Sequence, residues 1–96
     1  MIITFGNKLA SALFHGEPSK ETRRFPQLLR RAAVYKLSIL HAADLLDDLL
    51  VPPGNRLEAL KGDFKGFHSI RINDQWRLVF RWDEHHAYDV QIIDYH

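Results

Sequence analysis

The residues best suited to chemistry gather in the second half of the chain. They are Glu58 and Lys61, then Arg77, then Asp94, Tyr95 and His96 at the end of the sequence. Cleaving a phosphodiester without a metal needs cations to bind the phosphate and offset the charge that grows on its oxygens. It also needs a base for the attacking hydroxyl and an acid for the leaving oxygen. Lys61 and Arg77 can supply the charge. Glu58, Asp94 and His96 are candidates for proton transfer, and Tyr95 can donate a hydrogen bond or stack on a base. RNA carries its own 2′-hydroxyl nucleophile, so the attack is intramolecular and gains from proximity. Lys65, Arg71 and Arg81 are further candidates for RNA contact. Each charge also has a plainer reading: Arg77 can sit in a salt bridge to an acid such as Asp94, and the others can simply be solvated.

These residues need a sheet to hold them. Residues 67–72, 76–82 and 87–95 are three β-rich runs, separated by the hairpin-length turns 73–75 and 83–86. Along the middle run Trp76, Leu78, Phe80 and Trp82 share one face, and Arg77, Val79 and Arg81 share the other. The first face is expected to meet helices. The second places two guanidinium groups on an open or concave surface, which an antiparallel sheet allows. Asp94, Tyr95 and His96 then read as side chains at a strand end.

The N-terminal half supplies the support. Residues 2–5 form a short apolar run stopped by Gly6 and Asn7, a first strand. Leu9, Ala12 and Leu13 recur at helical spacing over residues 8–14, and Gly16 and Pro18 end that helix. Residues 19–24 are polar and fit a loop or a helical turn. After Pro26, a residue suited to a first helical position, Leu29, Ala32, Ala33, Leu37 and Leu40 mark an amphipathic helix to about Ala43. Arg23, Arg30 and Arg31 fall largely outside its apolar stripe, facing water or a phosphate. Residues 44–50 fit a further short turn, and Pro52, Pro53 and Gly54 exclude regular structure in the loop that follows.

The bulk numbers narrow the class. Ninety-six residues, 46% hydrophobic and 26% charged, fit one domain spanning residues 1–96. No apolar run approaches the roughly 20 residues a membrane span requires, and residues 1–5 lack the basic and apolar regions of a signal peptide. The absence of cysteine removes disulfides and thiolate zinc sites and fits a reducing cytoplasm. The six histidines are scattered; His68, His85 and His86 read as surface residues, and no metal or other cofactor is expected. Phosphate-loop, nucleophile-elbow and catalytic-cysteine patterns are missing. A net charge of +1 conceals a basic stretch over residues 20–36, an acidic patch at Asp44, Asp47 and Asp48, and a basic excess again over 56–81, compatible with an anionic partner.

Four stretches resemble the HigB toxins, a branch of the RelE/ParE toxin superfamily. They are Arg56-Leu57-Glu58-Ala59-Leu60-Lys61-Gly62-Asp63, Gly66-Phe67-His68-Ser69-Ile70, Gln75-Trp76-Arg77-Leu78-Val79-Phe80, and Ala87-Tyr88-Asp89 with the terminal Asp94-Tyr95-His96. The resemblance implies an α+β, RelE/ParE-like fold, with an N-terminal strand and two helices packed on a curved antiparallel sheet. It also implies the toxin of a type II toxin–antitoxin pair, a ribosome-dependent mRNA endonuclease. The implied partners are the ribosome, its mRNA and a helix-turn-helix antitoxin of HigA type, with operator DNA reached only through that antitoxin and no membrane involved. Lys61, Arg77, Asp94, Tyr95 and His96 match the family's site by motif. Glu58 departs from it, standing where many HigB proteins carry histidine. It either serves as the base, with nearby Lys61 favouring its ionised form, or is solvated while His96 takes over the proton chemistry. Asn73 replaces an arginine found in some relatives. The same fold serves ParE-like gyrase inhibitors, and a degenerate member would keep only antitoxin binding and promoter autoregulation.

Overall fold

Alternation along residues 76–82 builds the centre of the sheet. In the computed structural model, which describes residues 1–95, strand β3 (Trp76–Asp83) pairs antiparallel with β2 (Phe67–Arg71) and with β4 (His86–Asp94). A short strand, β1 (Glu58–Ala59), adds to the outer side of β2, giving the order β1-β2-β3-β4. The candidate residue His96 lies outside the described residues.

The turns have local causes. Between β2 and β3 the Asn73 carboxamide oxygen accepts from the backbone N–H groups of Gln75 and Trp76, at 2.9 and 2.7 Å. Asn73 is thus a turn-former, since asparagine can substitute its side chain for a backbone acceptor. Between β3 and β4 Glu84 takes a left-handed conformation, φ 55°, and its carbonyl accepts from the Trp82 indole N–H at 2.7 Å. Asp89, φ 53°, sits where the β3–β4 register shifts. It is an extra residue in β4, of the kind that bends and twists a strand.

Three helices cover one face where two were expected. Helix α1 (Lys8–His15) begins at Asn7, whose side-chain oxygen accepts from the Ala10 N–H at 3.0 Å while its amide donates to the Ile92 carbonyl at 2.9 Å. One asparagine therefore caps the helix and ties it to β4. Residues 19–24 prove helical in part: α2 (Lys20–Arg24) is started by a reciprocal Ser19–Thr22 capping box. The stripe after Pro26 starts as a 3-10 turn, Gln27–Leu29, and becomes α3 (Arg30–Ala42). Arg30 on that helix donates to the Thr22 carbonyl at 2.6 Å, so it joins α2 to α3, whereas Arg23 and Arg31 are exposed.

Leu37 and Leu40 of α3 and Leu13 of α1 meet Ile70, Leu78, Phe80, Val90 and Ile92 of the sheet in one core. Each such side chain, once fully buried, contributes roughly 1.5–3 kcal/mol. Trp76 and Trp82 border it, Trp76 edge-on to Phe25 with ring centroids 4.9 Å apart. His68 belongs to this side as well. It is half-buried and stacked at 6.1 Å on Phe80, not a surface residue.

The expected N-terminal strand is reduced to two isolated parallel bridges. Ile2 bridges Ala87 and Phe5 bridges Val90 on the free side of β4, so the sheet is antiparallel only in its four main strands. Gly6 lies so close to β4 that a Cβ there would meet the Gln91 side chain at 2.6 Å and the Asp89 carbonyl at 2.8 Å.

The connection between helices and sheet is more ordered than its prolines suggest. Residues 46–50 and 53–55 are both 3-10 turns; proline blocks longer helices but fits the first position of a single turn. Asn55 is fully buried. Its amide donates to the carbonyls of Leu49 and Val51, at 3.1 and 3.3 Å, and its oxygen accepts from the Lys36 ammonium. Burial, and secondarily the charge of Arg71, depresses the Lys36 pKa.

Candidate active site

The sheet face opposite the helices carries the candidate residues. Ser69 and Val79 are fully buried there, and Leu60 nearly so, yet none of them joins the main core. The middle of this face is therefore closed to solvent by the side chains that stand over it. Strand register sets what stands over it: Glu58 pairs with Ser69, Ser69 with Val79, Arg71 with Arg77, and Arg77 with Ile93.

Three arginines rise from this face, each beside a carboxylate. Arg71 meets Asp74 at 2.5 Å, and that contact holds the Asp74 carboxyl below the usual range. Arg81 meets Asp89 at 2.8 Å through both Nε and Nη2. Arg77 differs. Its Nη1 lies 3.7 Å from the Glu58 carboxylate, too far for a hydrogen bond, and the same nitrogen is buried with no hydrogen-bond partner among the described residues. Its guanidinium carbon lies 5.4 Å from the centroid of the Tyr95 ring. Only 13% of the Arg77 side chain is exposed, so the charge is held in a partly dry setting with a donor unused.

Alternation divides the terminal triplet. Asp94 pairs with Trp76, which faces the helices, so strand geometry places Tyr95 rather than Asp94 on Arg77's side. A salt bridge to an acid such as Asp94 was the plainer reading of Arg77; the carboxylate beside it is Glu58. Asp94 is exposed at the strand end and accepts from the Gln75 amide at 2.9 Å. Gln75, read in the sequence only as part of the Gln75-Trp76-Arg77 stretch and given no role, thereby links the β2–β3 turn to the last strand. Its presence directly before Trp76-Arg77 was the available signal.

Lys61 is not joined to this group. It is exposed, past the end of β1 at the start of the turn Gly62–Phe64, and its side chain makes no ion pair among the described residues. The cation beside Glu58 is accordingly Arg77. Lys65 is exposed at the far end of the same turn. Among the described residues no group of three His, Cys, Asp or Glu side chains is placed to hold a metal, and no helix is long and apolar enough to cross a membrane.

Residues 4–96 match the family described as the RelE-like toxin of the type II toxin–antitoxin system HigB. Over 82 residues, covering 85% of this chain and 84% of the relative, the sequence is 43% identical to Toxin HigB-1 of Vibrio cholerae. This chain is a HigB-type toxin. A Haemophilus influenzae protein is 33% identical over 60 residues, 62% of this chain and 59% of that one.

Solved structures agree on the fold. A YafQ mutant from E. coli superposes with a TM-score of 0.65 at 13% identity, covering 98% of this chain and 93% of its own. The YoeB–YefM complex from Staphylococcus aureus gives 0.60 at 19% identity, covering 100% and 98%. The HigB-type chain thus has the α+β arrangement of these toxins, with a four-stranded antiparallel sheet and helices on it, and belongs to a type II toxin–antitoxin system.

Proposed function

We propose that this toxin is a ribosome-dependent mRNA endonuclease whose site is the sheet face around Arg77. The observation that carries the reading is the loosely paired, half-satisfied guanidinium of Arg77 between Glu58 and Tyr95. A scissile phosphate supplies the hydrogen bonds that Glu58 at 3.7 Å does not. Drawing Arg77 onto the phosphate leaves Glu58 to take the proton of the 2′-hydroxyl. That oxygen attacks phosphorus, the bond to the 5′-oxygen breaks, and the products are a 2′,3′-cyclic phosphate and a 5′-hydroxyl. The proton for the leaving oxygen is assigned to His96, and Lys61 reaches over the rim to the charged oxygens. Arg71 and Lys65 extend the electropositive rim.

Dependence on the ribosome is part of this reading. Lys61 is exposed and makes no ion pair with Glu58 among the described residues, and a substrate held in fixed geometry by the decoding site would bring it into the constellation. Between episodes of activity a helix-turn-helix antitoxin neutralises the toxin and carries it to operator DNA. Induction of Lys61→Ala and Arg77→Ala variants in growing cells tests the site: both should relieve growth arrest while remaining folded, and full toxicity of both would place the site elsewhere.

A further inference from the structure

We propose that Phe67, Arg81 and Tyr88 form a stacking subsite for an unpaired nucleobase, flanking the phosphate site at Arg77; the proposal rests on the RNA-cleaving reading and gives Arg81 a role other than phosphate binding. The Arg81 guanidinium lies over the Phe67 ring, 5.9 Å from its centroid, and Phe67 is braced edge-on by Phe64 at 5.6 Å. A hydrogen bond from Nε and an ion-pair contact from Nη2, both 2.8 Å to one Asp89 oxygen, hold the guanidinium in place. Asp89 can make them because it occupies the left-handed bulge position of β4. The register sets Tyr88 opposite Arg81 on the same face. Beside them opens a concavity of about 470 Å³ lined by Gly66, Arg81, Trp82, Asp83 and Tyr88, of a size that takes a small planar ligand. At Gly66, φ 92°, even an added Cβ would meet nothing within 4 Å.

The electrostatics decide which part of a nucleotide enters. Arg81 is matched by Asp89, and Asp83 adds a second carboxylate to the wall, so a phosphate would meet more negative than positive charge. A base carries no net charge, and a flat, fixed guanidinium backed by an aromatic ring offers it a stacking surface. Arg81 lies four residue steps along β3 from Arg77, about 13 Å at strand spacing. The subsite would therefore hold a base beyond the one adjoining the scissile bond.

Binding of fluorescently labelled hexacytidylate to the intact toxin, measured by anisotropy at several salt concentrations, tests this. Arg81→Lys keeps the charge and removes the plane, so it should weaken binding roughly tenfold, as should Arg81→Ala and Phe67→Leu, with the salt slope unchanged. Thermal melts of all three variants check that the fold survives. If Arg81→Lys binds as the wild type does, while Arg81→Ala lowers the salt slope by about one, Arg81 is a phosphate contact and the proposal is wrong. It is equally wrong if the wild type does not bind, or if no variant alters binding. Cleavage on programmed ribosomes by Arg77→Ala reports on the nuclease reading separately, so either idea can fail alone.

Discussion

Glu58 and Arg77 face each other across an intervening strand, their charged atoms 3.7 Å apart above the buried Ser69. Strands β1 and β3 are about 10 Å apart at ordinary spacing, so both side chains lean inward to make this contact. The neighbouring pairs, Arg71 with Asp74 at 2.5 Å and Arg81 with Asp89 at 2.8 Å, are closed hydrogen-bonded units. The Glu58–Arg77 pair is open by comparison, and an open pair is the one a phosphate can enter.

Glu58→Gln separates the two roles left to that residue. Gln keeps the shape and removes the base, and a lost general base costs typically 10²–10⁴ in rate. Single-turnover cleavage on programmed ribosomes should fall by at least a hundredfold. Because Glu58 is half exposed, stability should change by less than about 1 kcal/mol. A rate within a few-fold of wild type would move the base to His96.

Tyr95 is expected to act through its ring, which lies 5.4 Å from the Arg77 guanidinium carbon. Tyr95→Phe should cleave at close to the wild-type rate, whereas Tyr95→Ala should lose about two- to thirtyfold, given the ~0.5–2 kcal/mol such contacts provide. A large loss in Tyr95→Phe would assign the work to the hydroxyl.

Asn55 anchors the loop that delivers β1, and with it Glu58, to the sheet. Asn55→Ala leaves the buried carbonyl of Leu49 and the Lys36 ammonium without their partner. An unsatisfied buried group costs about 1–3 kcal/mol, so the urea midpoint should drop accordingly, with a loss of cleavage secondary to displaced Glu58. An unchanged midpoint would mean that the loop is held by other contacts.

Stability should also respond to pH through His68. Burial lowers its pKa below the ordinary value of 6.5, so the unfolded chain takes up a proton more readily than the folded one. As pH falls below about 6.5 the unfolded state is favoured and the melting temperature should decline. His68→Gln should flatten the curve in that window. Asp48, held ionised by the backbone N–H groups of Leu45 and Asp44, and Asp74, held by Arg71, have pKa values depressed below 3.8. Their contributions are lost only at still lower pH, so the windows do not overlap. A flat wild-type profile between pH 7 and 5 would contradict the assignment.

Much of the sheet could be read from the sequence because it is written in local alternation: Trp76, Leu78 and Phe80 against Arg77, Val79 and Arg81. Helix α1 was legible from the spacing of Leu9, Ala12 and Leu13. What stayed hidden depends on residues far apart in sequence or on single backbone angles. Asn55 looks like any loop asparagine until Lys36 is brought to it. The parallel pairing of residues 2–5 depends on which edge of the sheet remains open after the hairpins close. Asp89's left-handed bulge, which turns Arg81 into part of an ion pair, leaves no mark in hydrophobic patterning. Which acid stands beside Arg77 is left open by the sequence, with Asp94 one example, because adjacency of motifs says nothing about which face a strand residue takes. Glu58 and Arg77 are 19 positions apart, and only the pairing of β1 with β2 and of β2 with β3 brings them together.

The most direct test of the central claim is to map the 5′ ends of a defined mRNA incubated with the toxin, on ribosomes programmed with that message and as free RNA. The account predicts new 5′-hydroxyl ends within the message on ribosomes, few or none on free RNA, and their disappearance with Arg77→Ala. Equal cutting of free RNA, or growth arrest with intact message and a response to DNA gyrase inhibition instead, would contradict it.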